Sequence, residues 1–185
     1  MFMTDVLNVT GICPILAYAE TDSAVPAARA LVDGGLPVTV NFPLHPGWEF
    51  LALVPDFDLA TSLARSVLPE QVSRGDAIYN ISHGAMVLKA LELGDEKLLR
   101  NAMQDKLHQN YRKKLIPDYD RIEALVRTTG AAFCLSGAGS TLLCITRNPD
   151  AASKIAQKLD SVTKAHWEIL PLHVEFQGAR IVDSQ

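Results

Sequence analysis

Three groups of residues in this sequence have the types and spacing to do chemistry. The first is Ser136-Gly137-Ala138-Gly139-Ser140-Thr141. Two glycines let the main chain bend tightly and aim successive N–H groups one way, a concavity suited to an anion such as phosphate. No lysine follows, and the next residues alternate like a strand instead of opening a helix, so this is not a Walker loop. Glycine and serine also fill hairpin turns for conformational reasons alone, and spacing by itself favours that plainer turn. The second group is the basic run 106–114, in which Arg112 could fork onto a carboxylate or phosphate. Cations also collect near helix C-termini, so in isolation the run reads as a solvated face. The third is Arg74, predicted in the first turn of a helix, where the macrodipole disfavours a cation. An anionic ligand would offset that cost; a surface pair with Asp76 or Glu70 is the plainer reading. His83 and His108 have no carboxylate or second histidine four residues on, and no catalytic base or metal ligand is assigned to them.

Composition narrows what these groups could serve. Of 185 residues, 48% are hydrophobic and 21% charged, enough for one medium domain, or a small domain with an attachment, with a real core, which excludes a disordered chain. Seventeen Lys and Arg against 21 Asp and Glu give a net charge of −4, which argues against nucleic acid and acidic membranes as partners. The three cysteines, Cys13, Cys134 and Cys144, sit in apolar stretches without C-x-x-C spacing and read as buried thiols of a reducing compartment. The apolar run 12–19 is too short to span a bilayer and has no basic flank of a signal peptide. A soluble, cytoplasmic protein is expected.

The elements that must position the three groups follow from periodicity and punctuation. Residues 11–42 read as strand, helix and strand, a βαβ-like unit, and the prolines and glycine of 43–47 mark a boundary. Residues 48–54 form a strand and 61–67 a short helix stopped before Pro69. Ser73 and Asp76 have the spacing of a capping box and open a long helix closed by Gly94. On it Ile78, Ile81, Ala85, Leu88 and Leu91 share one face. Leu99, Met103 and Leu107 suggest a further helix. Asp118 caps a helix that buries Ile122, Leu125 and Val126 and closes at Gly130. Two strands, 131–135 and 142–146, flank the Ser136-to-Thr141 run; Pro149 begins another helix, and 167–176 with 179–182 end the chain as strands. From residue 48 on, this order predicts an α+β sandwich with helices on one face of a mostly antiparallel sheet.

Longer patterns tie the three groups together. Residues 48–57 and 60–69, Ser73-Arg74-Gly75-Asp76 with Asn80, Leu107-His108-Gln109-Asn110-Tyr111-Arg112 with Ile116-Pro117, and residues 135–142 resemble, in order and spacing, the C-terminal half of homoserine kinases. The resemblance runs from about residue 46 to the end. Those enzymes, of the superfamily that includes galactokinase and mevalonate kinase, transfer the γ-phosphoryl of ATP to the homoserine hydroxyl in threonine biosynthesis. The resemblance implies a ferredoxin-like two-layer sandwich over 43–185, ATP and Mg as cofactors, and homoserine as a small-molecule partner. It also implies that Arg74 and Arg112 hold the amino-acid substrate, while Ser136, Gly137, Ala138, Gly139, Ser140 and Thr141 support the phosphate-binding region. Asn110 and Ser140 stand where the family usually has proline.

The family's phosphate-wrapping loop, which belongs to its first half, is not found. Residues 13–18 and 24–38 instead resemble the opening of keto-deoxy-phosphogluconate aldolases, without the catalytic glutamate or the Schiff-base lysine of that family. The chain therefore reads as a graft near Phe42, with 1–42 an aldolase-like extension. A kinase half incomplete by itself is expected; the alternative is a non-catalytic ferredoxin-like module that forms homo-oligomers or binds a small molecule.

Overall fold

The computed structural model describes residues 43–174. The expected βαβ unit and the aldolase-like stretch of 1–42, Cys13, and the strand residues from 175 on lie outside the described residues. Residues 43–173 fall within one compact unit.

The chain enters β1 (Glu49–Pro55), passes through α1 (Thr61–Ser66), α2 (Arg74–Leu93), α3 (Glu96–Ala102), the one-turn α4 (Gln109–Arg112) and α5 (Tyr119–Thr129), then forms the hairpin β2 (Ala132–Leu135) and β3 (Leu142–Thr146). It closes with α6 (Pro149–Val162) and β4 (Trp167–Leu172). The four strands form one sheet in the order β2-β3-β1-β4, antiparallel throughout. β1 is central, pairing Leu51 with Cys144 on one side and Pro171 on the other. The order β1-helix-β2-β3-helix-β4 in an antiparallel sheet is the expected α+β arrangement.

Alternation along the strands sends residues to two faces. One face carries Leu51, Leu53, Leu135, Leu142, Cys144 and Trp167, which pack on Ile122, Leu125 and Val126 of α5 and Ile155 and Leu159 of α6. The other carries Ala132 and Ile145, with Phe50 and Leu143 partly buried beside them, and it is also covered, by Ala90 of α2 and Leu99 of α3. Helices on one face alone were expected; the apolar residues at 50, 52, 143 and 145 leave the second face too hydrophobic to stay wet, and the α2–α3 pair takes it up. Leu170 and Leu172 of the edge strand β4 stay exposed.

Local signals placed most helix ends. Ser73 caps α2, its hydroxyl accepting from the Asp76 amide at 3.0 Å, and Gly94 ends it in the left-handed conformation. Asn148 caps α6 ahead of Pro149. Asp118 precedes α5 as expected but does not cap it. Its carboxylate instead accepts the amides of Lys164 (2.7 Å) and Ala165 (3.1 Å), from the loop after α6.

A further expectation, on the length of one helix, is overturned. The helix through Leu99, Met103 and Leu107 ends at Ala102. There the Asp105 carboxylate turns the chain by accepting the amides of Leu107, His108 and Gln109, so Met103 and Leu107 lie beyond the helix. On α2, Ile78, Ile81 and Leu88 point outward, 56%, 76% and 39% exposed, while Leu91 packs toward the sheet and only Ala90 is fully buried. Alanine and aliphatic residues occur almost all round this helix, so spacing could not select the seam; the contacts made by Val87, Ala90 and Leu91 did. Cys134 and Cys144 lie on adjacent strands as free thiols, and burial pushes both up to about 12.

Candidate functional site

The Ser136-to-Thr141 run is the loop of the β2–β3 hairpin, so the plainer turn reading describes its backbone correctly. Ser136 N–H donates to Thr141 O at 3.0 Å, and Gly139 N–H donates to Ser136 O at 3.1 Å. Among the described hydrogen bonds, none takes the N–H of Gly137, Ala138, Ser140 or Thr141, which leaves these donors of the loop available. Its base is anchored from outside: the Ser140 hydroxyl donates to Phe57 O at 3.2 Å. Gly137 (φ +58°) and Gly139 (φ +89°) both need the left-handed region. They differ in surroundings. A Cβ on Gly139 would stand 3.1 Å from both Ile116 Cδ1 and Leu135 Cδ1, whereas one on Gly137 would meet nothing within 4 Å. One glycine fits the loop onto the core; the other lies open at the tip.

Arg112 reaches this loop. From the last residue of α4 its Nε donates to Ala64 O at 3.0 Å and its Nη1 donates to Gly137 O at 3.0 Å. It therefore ties α1 to the loop, leaving Nη2 N–H groups for a further acceptor. The basic run is not simply a solvated face. Gln109 accepts from Leu135 N–H at 2.8 Å and donates to Met103 O at 3.2 Å, Lys106 lies 4.2 Å over the Tyr79 ring, and Lys113 pairs with Asp120 at 3.1 Å.

Asp105 organises the run. Burial would raise its pKa, but the amides of Gln109 and His108 and the side-chain amide of Asn80 outweigh that and hold it below the usual carboxylate value. His108 is held below its ordinary value, first by burial and then by the charge of Arg112, with Asp105 opposing. Its Nδ1 is buried without a partner among the described residues. Nothing in the order of residue types marked Asp105 or Gln109, because their partners lie on other turns and strands; the one available signal was an aspartate three residues before His108, the spacing of a side-chain cap.

Arg74 occupies the first turn of α2 and is exposed. It makes none of the described ion pairs; Asp76, its suggested surface partner, lies 3.7 Å from Lys106 instead. The structure joins Arg112 to the loop, and no described contact brings Arg74 to either. The described residues contain no group of three or more His, Cys, Asp or Glu able to hold a metal ion, so they offer no all-protein magnesium cage. Phosphate-bound magnesium does not need one, since it takes one or two carboxylates and keeps water. No described helix is long and apolar enough to cross a membrane.

Comparisons with known proteins agree with this architecture. Residues 87–165 match the family "GHMP kinases C terminal". The homoserine kinase of Nostoc punctiforme is 38% identical over a stretch covering 90% of this chain and 57% of that protein. That share is too large to fit within residues 43–185, so the similarity reaches further toward the N-terminus than the motifs indicated. The homoserine kinase of a Synechococcus strain is 40% identical, covering 76% of this chain and 44% of its own length. Among solved structures, the homoserine kinase of Cytophaga hutchinsonii superposes with a TM-score of 0.67 at 24% identity, over 73% of this chain and 44% of that one. The Streptococcus pneumoniae phosphomevalonate kinase shares the fold, with a TM-score of 0.56 at 10% identity. The chain spans about half the length of the curated relatives it matches. Its antiparallel sheet, its helix order and these similarities lead to one assignment: residues 87–165 are a domain of the GHMP kinases C terminal family, in a chain homologous to homoserine kinases.

Proposed function

We propose that this chain supplies the substrate-side part of a homoserine kinase, which transfers the γ-phosphoryl of ATP to the hydroxyl of homoserine. The observation that carries this reading is the double anchorage of Arg112 on Ala64 O and Gly137 O, which fixes a guanidinium beside the glycine loop in a chain similar to homoserine kinases. Phosphoryl transfer asks a protein mainly to position the hydroxyl and to neutralise charge on the transferring group. Preorganised N–H donors serve that end without having to reorient as charge develops. In this reading the remaining N–H groups of Arg112, with Arg74, hold the homoserine carboxylate, and the free amides of Gly137, Ala138 and Ser140 face phosphate oxygens. The groups that wrap the rest of ATP come from the part of the kinase that the relatives possess beyond the length matched here. ATP with Mg would be the phosphoryl donor, and no step is assigned to the metal.

The test is homoserine-dependent ADP formation, with homoserine binding followed separately by calorimetry. Binding lowered about tenfold or more by Arg112→Ala, with Arg112→Lys restoring part of it, supports the site. Homoserine affinity unchanged by both Arg74→Ala and Arg112→Ala overturns it. Turnover by the chain alone would show that it also completes an ATP site.

A second reading, a homo-oligomerising module, is favoured by the outward Ile78, Ile81 and Leu88 of α2. A strictly monomeric species in light scattering would exclude it.

A further inference from the structure

The hairpin register leaves one outward N–H of the β2 edge, that of Phe133, without a partner among the described hydrogen bonds. Ser136 donates to Thr141, and the β2–β3 pairs run from Leu135 opposite Leu142 to Ala132 opposite Ile145. The backbone groups of 132, 134 and 136 therefore face β3, and those of 131, 133 and 135 face away from it. Two of the three outward N–H groups are taken: Leu135 donates to the Gln109 side-chain Oε1 at 2.8 Å and Ala131 to the Thr129 hydroxyl at 3.4 Å. Phe133 takes part in none of the described hydrogen bonds, and it lines a cavity of about 670 Å³.

The other walls of that cavity are charged and aromatic. Arg100 and Arg127 face it with Glu123 between them in charge, a net positive lining. Arg127 is 67% exposed and holds Glu123 at 2.8 Å, while Arg100 donates to Gly130 O. Tyr79 and His83 of α2 complete it as stacked rings with centroids 3.6 Å apart. None of Arg74, Arg112 and the 136–141 loop lines this cavity.

We propose that this cavity is a second small-molecule site, for a free α-amino acid recognised by its main chain. A single unpaired residue on a strand edge offers one N–H and one C=O side by side. An amino acid presents the complement: its carboxylate accepts from Phe133 N–H and its ammonium donates to Phe133 O, as one residue of a neighbouring strand would. Arg127, with Arg100 behind it, neutralises the carboxylate, and Glu123 takes the ammonium charge. The side chain extends toward the Tyr79–His83 stack. A longer peptide gains little, because the flanking outward amides at 131 and 135 already have partners inside the protein.

The test follows the Phe133 backbone amide of the full chain by NMR while each standard L-α-amino acid is added in turn, then the tripeptide Gly-Gly-Phe. At least one amino acid should shift that amide saturably at concentrations below about 10 mM. Its carboxamide, or the exposed-site variant Arg127→Gln, should weaken binding about tenfold or more, with the chain still folded by circular dichroism. Arg112→Ala should leave this binding unchanged, which separates it from homoserine held at the substrate site. If only Gly-Gly-Phe binds, moves Phe133 and depends on Arg127, the free-amino-acid proposal is overturned and the same contacts serve a peptide carboxyl terminus instead. Binding unaffected by both amidation and Arg127→Gln overturns the proposal, as does an unmoved Phe133 amide with every probe.

Discussion

Helices α5 and α2 are built from similar proportions of apolar residues and end up in opposite circumstances. α5 has 11 residues and buries Tyr119, Ile122, Leu125, Val126 and Thr129 in the main core. α2 has 20 residues and fully buries only Ala90. In α5 the apolar stripe and the polar stripe are distinct, so one orientation satisfies both. α2 has no such division, and its contacts with the sheet leave Ile78, Ile81 and Leu88 toward solvent. The α5 face is complete within the described residues, whereas the outward face of α2 leaves Ile78, Ile81 and Leu88 in water.

The largest expected effect comes from setting one isoleucine of each helix against the other. Ile122→Ala should cost about 2–5 kcal/mol in urea unfolding, the usual range for emptying a close-packed site. Ile81→Ala should cost less than about 0.5 kcal/mol, as exposed substitutions do. Comparable losses would show that the α2 face is packed in solution, and the contrast would fail. Gly139→Ala should destabilise by about 1–3 kcal/mol through its φ and the 3.1 Å approach of Ile116 and Leu135, and Gly137→Ala by about 1 kcal/mol from φ alone.

Acid should act on the run that anchors the loop before it acts on α5. The folded pKa values of His108 and Asp105 are both lowered, so their contributions are intact above the unfolded values of 6.5 and 3.8 and are lost as pH falls through the folded ones. Stability should therefore decline in two stages on acidification, and Asp105→Asn should flatten the lower one in pH-dependent thermal melts. The smallest effect sharpens the description of α2. A Cβ at Gly84, in mid-helix, would meet nothing within 4 Å, so Gly84→Ala should stabilise the chain by about 0.5–1 kcal/mol. A loss instead would mean that another backbone approaches that face closely.

What the sequence made legible was local. Ser73 with Asp76, Gly94, Gly130 and Pro149 act within a few residues of themselves, and the helix ends they predict are the ones found. The faces of β1 and β3 were readable because strand alternation admits few registers. The orientation of α2 was not, since it depends on which apolar side meets Ile145 and Leu99 across the chain. Asp118 shows both cases in one residue: its place before α5 was clear, but its partners, Lys164 and Ala165, lie on the far side of β2, β3 and α6. The site divides in the same way. The glycine loop and Arg112 stood out by type, while Gln109 and Asp105, which hold the surrounding backbone, became visible only through distant acceptors and donors.

The two thiols on β2 and β3, one half-buried and one buried, have a consequence for measuring how the sheet opens. A thiol pushed up to about 12 is almost wholly protonated at neutral pH, and protonated thiols barely react with alkylating reagents. Fully buried Cys144 should therefore be modified only during excursions that bring β3 into water, and half-buried Cys134 should react more readily. Where closing is fast, the modification rate reports the free energy of opening; where the reagent outruns closing, it reports the opening rate itself. The hairpin that bears the glycine loop thus contains its own reporter at the strand pair whose separation would disconnect that loop from the core.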